Sequence, residues 1–230
     1  MEAFQSCANS PEQPQSSKLS LQCEIIAKDT SAIRSLDWER SRFDIEFGLR
    51  NGTTYNSFLI KGNKTALIDT SHSKFKDSWF KLLRKEVDPK EIDYLIVSHT
   101  EPDHSGLISD LLELNPQIEV FASKVAIQFL ENQVHKPFKS TPIKSGNELD
   151  LGTNESTGIH HHFEFISAPN LHWPDTIFSF DHATKILYTC DAFGLHYCSD
   201  DLFDNDSDVI EPDFRFYYDC LMGPNARSVL

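Results

Sequence analysis

The 230-residue chain carries 35 acidic against 21 basic side chains, a formal net charge of −14, which argues against nucleic acid or an anionic membrane as a partner. Its hydrophobic content of 39% is ordinary for a soluble globular protein, and no apolar run approaches the roughly 18 residues that a spanning helix needs. Cys7, Cys23, Cys190, Cys198 and Cys220 are odd in number and contain no CxxC pair, so neither a disulfide framework nor a cysteine zinc site is indicated and a reducing compartment is favoured.

Residues 1–22 are rich in Ser, Gln and Pro and poor in large apolar groups, which predicts a disordered N-terminal segment. The stretch has no Arg and carries Glu2 and Glu12, so it does not diagnose organelle targeting. From Phe43 the chain turns β-rich. Phe43 to Phe47 alternates apolar and polar, Asn51-Gly52 supplies a hairpin turn, and Tyr55 to Ile60 returns. Gly62-Asn63 makes a second turn before a third strand, Ala66 to Asp69. Phe75, Trp79, Phe80, Leu82 and Leu83 then predict an amphipathic helix that stops near Asp88-Pro89.

Ile92 to Val97 is short, apolar and β-branched, a buried strand. It runs into Ser98-His99-Thr100-Glu101-Pro102-Asp103-His104-Ser105-Gly106, after which Leu107, Ile108, Leu111, Leu112 and Leu114 recur at helical spacing. Two His and two carboxylates therefore leave a strand's C-terminal end, where α/β proteins tend to place their chemistry. Ile118 to Phe121 and a helix around Val125 to Leu130 form a further strand–helix unit. Hairpins followed by strand–helix alternation imply one mixed α/β domain.

The polar stretch from Lys144 to Gly158 reads as loop or hairpin, and its Ser156-Thr157-Gly158 has neither the preceding strand nor the following helix of a phosphate loop. His160-His161-His162 is expected at the surface, although strand alternation would send neighbours to opposite faces. Phe163 to Ile166 is a strand that leads to Leu171-His172-Trp173-Pro174-Asp175-Thr176. Ile177 to Phe180 and Lys185 to Thr189 form a hairpin that ends at Cys190-Asp191-Ala192-Phe193-Gly194. His99, His172 and Asp191 thus share one kind of location, just past an apolar strand. The five aspartates between Asp200 and Asp208 lack EF-hand spacing and read as a solvated acidic loop. Pro224 and the apolar residues after it look like the first turn of a helix that does not finish, which predicts a truncated chain.

His99, Glu101, Asp103, His104, His172 and Asp191 offer three imidazoles and three carboxylates. That exceeds the needs of one four-coordinate ion, so two metals are implied. A set this rich in carboxylate suits a harder, redox-active ion such as iron better than zinc.

The ordered motif His99-x-Glu101-x-Asp103-His104, with His172 and Asp191 following, resembles the diiron site of flavodiiron proteins in the metallo-β-lactamase superfamily. The likeness runs from about Cys23 to Leu230 and is greatest to the chloroplast and cyanobacterial branch. It implies an αββα sandwich of mixed α/β class over residues 23–230, incomplete at its C-terminus. It further implies that His99, Glu101 and His172 hold one iron, that Asp103 and His104 hold the other, and that Asp191 bridges them. One more histidine on the second iron is expected beyond Leu230. The implied activity is four-electron reduction of dioxygen to water. Electrons come from NAD(P)H through FMN, on flavodoxin-like and flavin-reductase domains that are not in this sequence. The resemblance also implies a homo- or hetero-oligomer in the chloroplast stroma that protects photosynthetic electron transport. The alternative is a zinc-dependent hydrolase of the same superfamily. Such enzymes typically carry a histidine where Glu101 stands.

Overall fold

The computed structural model describes residues 19–43, 47–204 and 207–230. A seven-stranded sheet contains β1 (Leu19–Ala27), β2 (Thr30–Asp37), β5 (Thr53–Lys61), β6 (Thr65–Ile68), β7 (Tyr94–Val97), β8 (Glu119–Ser123) and β9 (Lys139–Ile143), in that order. β1, β2, β5 and β6 pair antiparallel, and β6 to β9 pair parallel. A four-stranded antiparallel sheet contains β10 (Glu148–Thr153), β11 (His160–Ser167), β12 (Ile177–Asp181) and β13 (Ile186–Tyr188). The short pair β3 (Arg42–Phe43) and β4 (Phe47–Gly48) stands apart.

Period-two alternation divides the core in two. Leu67, Leu95, Val97 and Val120 face a helical layer of α1 (Lys76–Glu86), α3 (Ile108–Leu114) and α4 (Lys124–Val134), meeting Trp79, Leu83, Leu111 and Leu130. Ile68, Ile96 and Phe121 face the other way and meet Leu151, Phe163, Phe165 and Ile177 of the second sheet. Strands β6 and β7 are buried on both faces, so they read as continuous apolar runs. A third apolar cluster joins Leu171, Phe178 and Ala192 to Tyr217 and Met222. The last two come from α5 (Ser207–Tyr217) and the π-turn Tyr218–Met222. The layers are those of the metallo-β-lactamase-like sandwich.

The structure departs from expectation at several elements. Leu19–Gln22 belong to β1, so the ordered domain begins before Cys23; residues 1–18 lie outside those described. β1 and β2 form a hairpin that the sequence conceals, because its turn uses Asp29 at φ 61° rather than a glycine. The partner of β5 is therefore β2, and Phe43 pairs only with Phe47. Residues 44–46 of that predicted strand, and 205–206 of the acidic loop, lie outside those described. β9 was also hidden. It is an edge strand, where Pro142 is tolerated.

His161 corrects the surface expectation. Alternation holds, but the middle imidazole turns inward, fully buried, with Nδ1 2.9 Å from Oδ2 of buried Asp181. His160 and His162 face outward toward Asp150 and Glu148. After Gly223–Asn225, α6 (Ala226–Val229) is a single turn.

Candidate metal centre

Four loops bring the chemistry to one end of the sandwich. The first leaves β6 at Asp69, whose φ of 55° turns the chain, and Asp69 Oδ1 accepts the Ser98 amide at 2.7 Å. The second leaves β7 through His99 and Glu101 into α2 (Pro102–Ser105). Glu101 is the N-cap residue, with its carbonyl accepting the His104 and Ser105 amides and Pro102 beginning the turn. Gly106 is required there, since a Cβ would stand 2.4 Å from the Pro102 carbonyl oxygen. The third loop spans Ala168 to Thr176 and is tied to the second by the Ile177 amide donating to the Ser98 carbonyl. The fourth leaves β13 through Cys190 and Asp191, with Cys190 at φ 56° and Phe193 at φ 65°. Non-glycine residues at positive φ cost free energy and gather where a site must be aimed.

All six predicted ligands converge. His99, Glu101, His172 and Asp191 offer donor atoms within 4.8 Å of one another, and so do Asp103, His104 and Asp191. Glu101 Oε2 lies 3.2 Å from Nε2 of both His99 and His172. Asp191 divides its carboxylate between the groups. Its Oδ2 is 3.9 Å from His99 Nε2 and 3.7 Å from His172 Nε2, whereas its Oδ1 is 2.9 Å from His104 Nε2. Asp103 Oδ2 is 3.5 Å from that same nitrogen. Asp103 Oδ1 is buried with no hydrogen-bond partner among the described residues. A buried carboxylate oxygen left this way fits a cation at that position.

Two further carboxylates orient the imidazoles. Asp175, fully buried, has Oδ1 2.9 Å from His99 Nδ1. Its Oδ2 accepts from the Thr100 amide at 2.9 Å and from the Thr100 hydroxyl at 2.6 Å. Asp69 Oδ2 lies 3.2 Å from His104 Nδ1. Each carboxylate favours a proton on Nδ1, which turns the Nε2 lone pair toward the centre. Neither role is legible in the sequence. Both residues do flank apolar strands, but nothing local says which imidazole they meet.

The fields are strong because the groups are buried. Burial opposes charge on His99, but hydrogen bonds to Asp175 and Glu101 overcome it and push its pKa up to about 9. Burial raises Glu101, and the bonds to His172 and His99 outweigh it, bringing the carboxyl down to about 2. Burial, assisted by Asp191 and Glu101, lifts Asp103 to about 6 against the pull of His104. Despite burial, His104 and the other imidazoles hold Asp191 below the usual carboxylate range. Phe43, Tyr217 and His196 wall the centre, with the His196 ring tilted against Phe43 at 4.3 Å between centroids and its Nδ1 2.9 Å from the Thr53 hydroxyl. Burial pushes the His196 pKa down to about 4.

The profile of the ODP family beta lactamase matches residues 53–227, well over half of the chain. The chain belongs to the ODP family of beta-lactamase domains. Diflavin flavoprotein A 1 of Synechocystis is 63% identical over 217 residues, covering 94% of this chain and 37% of that protein. Among solved structures, the metal-soaked Flv1 flavodiiron core from Synechocystis superposes with a TM-score of 0.84 at 35% identity, covering 92% of this chain and 52% of that one. Rubredoxin oxygen:oxidoreductase from Desulfovibrio gigas gives a TM-score of 0.83 at 28% identity, covering 90% and 51%. This ODP-family chain thus spans well under half the length of its curated relative and matches the flavodiiron core.

The amides of Ser156, Thr157 and Gly158 all point to Asn154, and the Ile159 amide donates to the Thr157 hydroxyl. Among the described residues no helix is long and apolar enough to cross a membrane.

Proposed function

We propose that this chain is the metal-bearing part of an oxygen-reducing flavodiiron oxidoreductase, with two iron ions held by His99, Glu101, Asp103, His104, His172 and Asp191. The division of the Asp191 carboxylate between two donor groups carries this reading. It supports a bridge, with His99, Glu101 and His172 on one ion and Asp103 and His104 on the other. Three carboxylates offset most of the charge of a ferrous pair, which favours hard, redox-active ions. The alternative of a zinc hydrolase is disfavoured by Glu101, whose oxygen lies between two imidazoles.

When bound, the irons would supply electrons and open positions for dioxygen. The chain's own residues do the rest. Asp175 and Asp69 hold the Nδ1 protons of His99 and His104, so that Nε2 is the ligating atom. Burial of His99 and Glu101 keeps bulk water from them and strengthens each of these interactions. Dioxygen would be reduced to water with electrons from NAD(P)H through FMN, carried on flavodoxin-like and flavin-reductase domains outside this sequence. The names and greater length of the relatives support that division. We further propose a homo- or hetero-oligomer that protects photosynthetic electron transport, in a chloroplast or a cyanobacterium-like setting; the cyanobacterial relatives favour it.

The test begins with metal. Supplied with iron and zinc together, the chain should take up iron, and Glu101→His should shift the ratio toward zinc. An unchanged ratio removes Glu101 as the selector. With iron, FMN and a chemical reductant, this chain alone should show only slow oxygen uptake. Sustained turnover under those conditions overturns the proposed division of labour.

A further inference from the structure

The approach to the metal-binding side chains is unequal on their two sides. In front, the recess between Glu101, His172, Asp191, His196 and Leu221 measures about 20 Å³, scarcely the room of a single water. Behind, a cavity of about 240 Å³ reaches Asp103, His104 and Asp191 and runs back between β5 and β13. At its far end it adjoins a groove of about 680 Å³. The two share Thr54, Asn56, Phe58, Ile186, Gly194 and Leu195 in their walls. The groove is open to solvent, since Phe203 and Val209 on its rim are 61% and 53% exposed.

The rear cavity has the chemistry of a wet space. Ser98 Oγ is buried in its wall with no hydrogen-bond partner among the described residues. Threonines and an asparagine add polar groups along its length. A polar cavity of this size holds several waters, and unpartnered buried oxygens are the groups such waters satisfy.

We propose that water and protons reach Asp103, His104 and Asp191 from behind, through a wet passage between β5 and β13 that opens in the groove beneath residues 194–204. Leu195 is one of the residues that wall both cavities, so its side chain stands where the passage must run. The passage serves small polar species. It rests on the two cavities and not on which metal binds, so it survives or fails independently of the iron reading.

Cys190 is a built-in reporter, since it lines the rear cavity with Sγ 3.7 Å from His104 Nδ1. Methyl methanethiosulfonate is small enough to probe it. The thiolate attacks the sulfenyl sulfur, a methyl disulfide forms, methanesulfinate leaves and the thiol proton goes to buffer. Labelling of Cys190 in the full chain is followed by peptide mass spectrometry, with exposed Cys220 as the internal control. Leu195→Trp should slow Cys190 about tenfold, because labelling then waits on local opening. Leu195→Ala should speed it, and Leu221→Trp at the front should leave it unchanged. Equal Cys190 rates in both Leu195 variants and the parent, or slowing by Leu221→Trp alone, overturn the proposal. Should Leu195→Trp fail to fold, the Leu195→Ala rate decides by itself.

Discussion

Replacing Asp175 by Asn should damage the metal centre without touching a ligand. Asp175 Oδ2 accepts from the Thr100 amide and hydroxyl, while Oδ1 faces His99 Nδ1 at 2.9 Å. An asparagine has one acceptor oxygen. If that oxygen stays with Thr100, the amide group donates to His99 Nδ1 and the imidazole proton must move to Nε2. The lone pair that should face the metal is then lost. If the side chain flips, its amide group confronts the Thr100 N–H, and a buried donor left unsatisfied costs about 1–3 kcal/mol. Partners of this kind typically change metal affinity by about 10–100-fold, or roughly 1.4–2.7 kcal/mol. The affinity is read by competition with a chromophoric chelator, and the tautomer by nitrogen chemical shifts of His99. The His99 pKa should also fall from about 9, since the Asp175 bond helps to hold it there. Unchanged affinity together with an unchanged tautomer would refute the reasoning.

Asp191→Asn should weaken both bound ions together and abolish their magnetic coupling, whereas His172→Asn should affect mainly one. Retained coupling in the first variant would take Asp191 out of the bridge. Metal uptake at pH 7 should release protons, because His99 with a pKa of about 9 must lose one to bind. Affinity should therefore rise with pH until about 9, and calorimetry in buffers of different ionisation enthalpy should show the difference; equal heats would count against it. The sign reverses for stability of the metal-free chain. The His99 contribution is whole below its ordinary pKa of 6.5 and lost as pH rises through about 9. Phe163→Ala, at a fully buried position between the sheets, should cost about 3–5 kcal/mol in chemical denaturation. A cost below about 1 kcal/mol would mean that the two sheets close over the gap.

The sequence by itself picked out the candidate ligands. His99 to His104 had to leave a buried strand, because β7 reads as an uninterrupted apolar run and its period ends at Ser98. The amphipathic spacing of α1 and the alternation of β5 likewise follow from local chemistry. His172 and Asp191 could be set beside the motif because each follows an apolar strand, and β11 and β13, both antiparallel to β12, end on the same side of their sheet. What the sequence could not carry was pairing over distance. β1 and β2 turn on an aspartate in the left-handed region, which leaves no glycine to read. His161 looks like its neighbours until Asp181, twenty residues on, supplies the partner that makes its burial tolerable.

The same holds at the centre. A carboxylate can bridge only when its two oxygens face two groups, and Asp191 comes to face both only where the loops after β7, β11 and β13 meet. Asp69 and Asp175 orient His104 and His99 across 35 and 76 residues of chain. Neither distance leaves a periodic trace. The rear cavity is likewise a product of how far β5 and β13 stand apart, a spacing set by side-chain volumes from both sheets. Ligand chemistry is local and therefore written in the chain. Orientation, bridging and access depend on contacts between remote segments, and only the tertiary structure decides them.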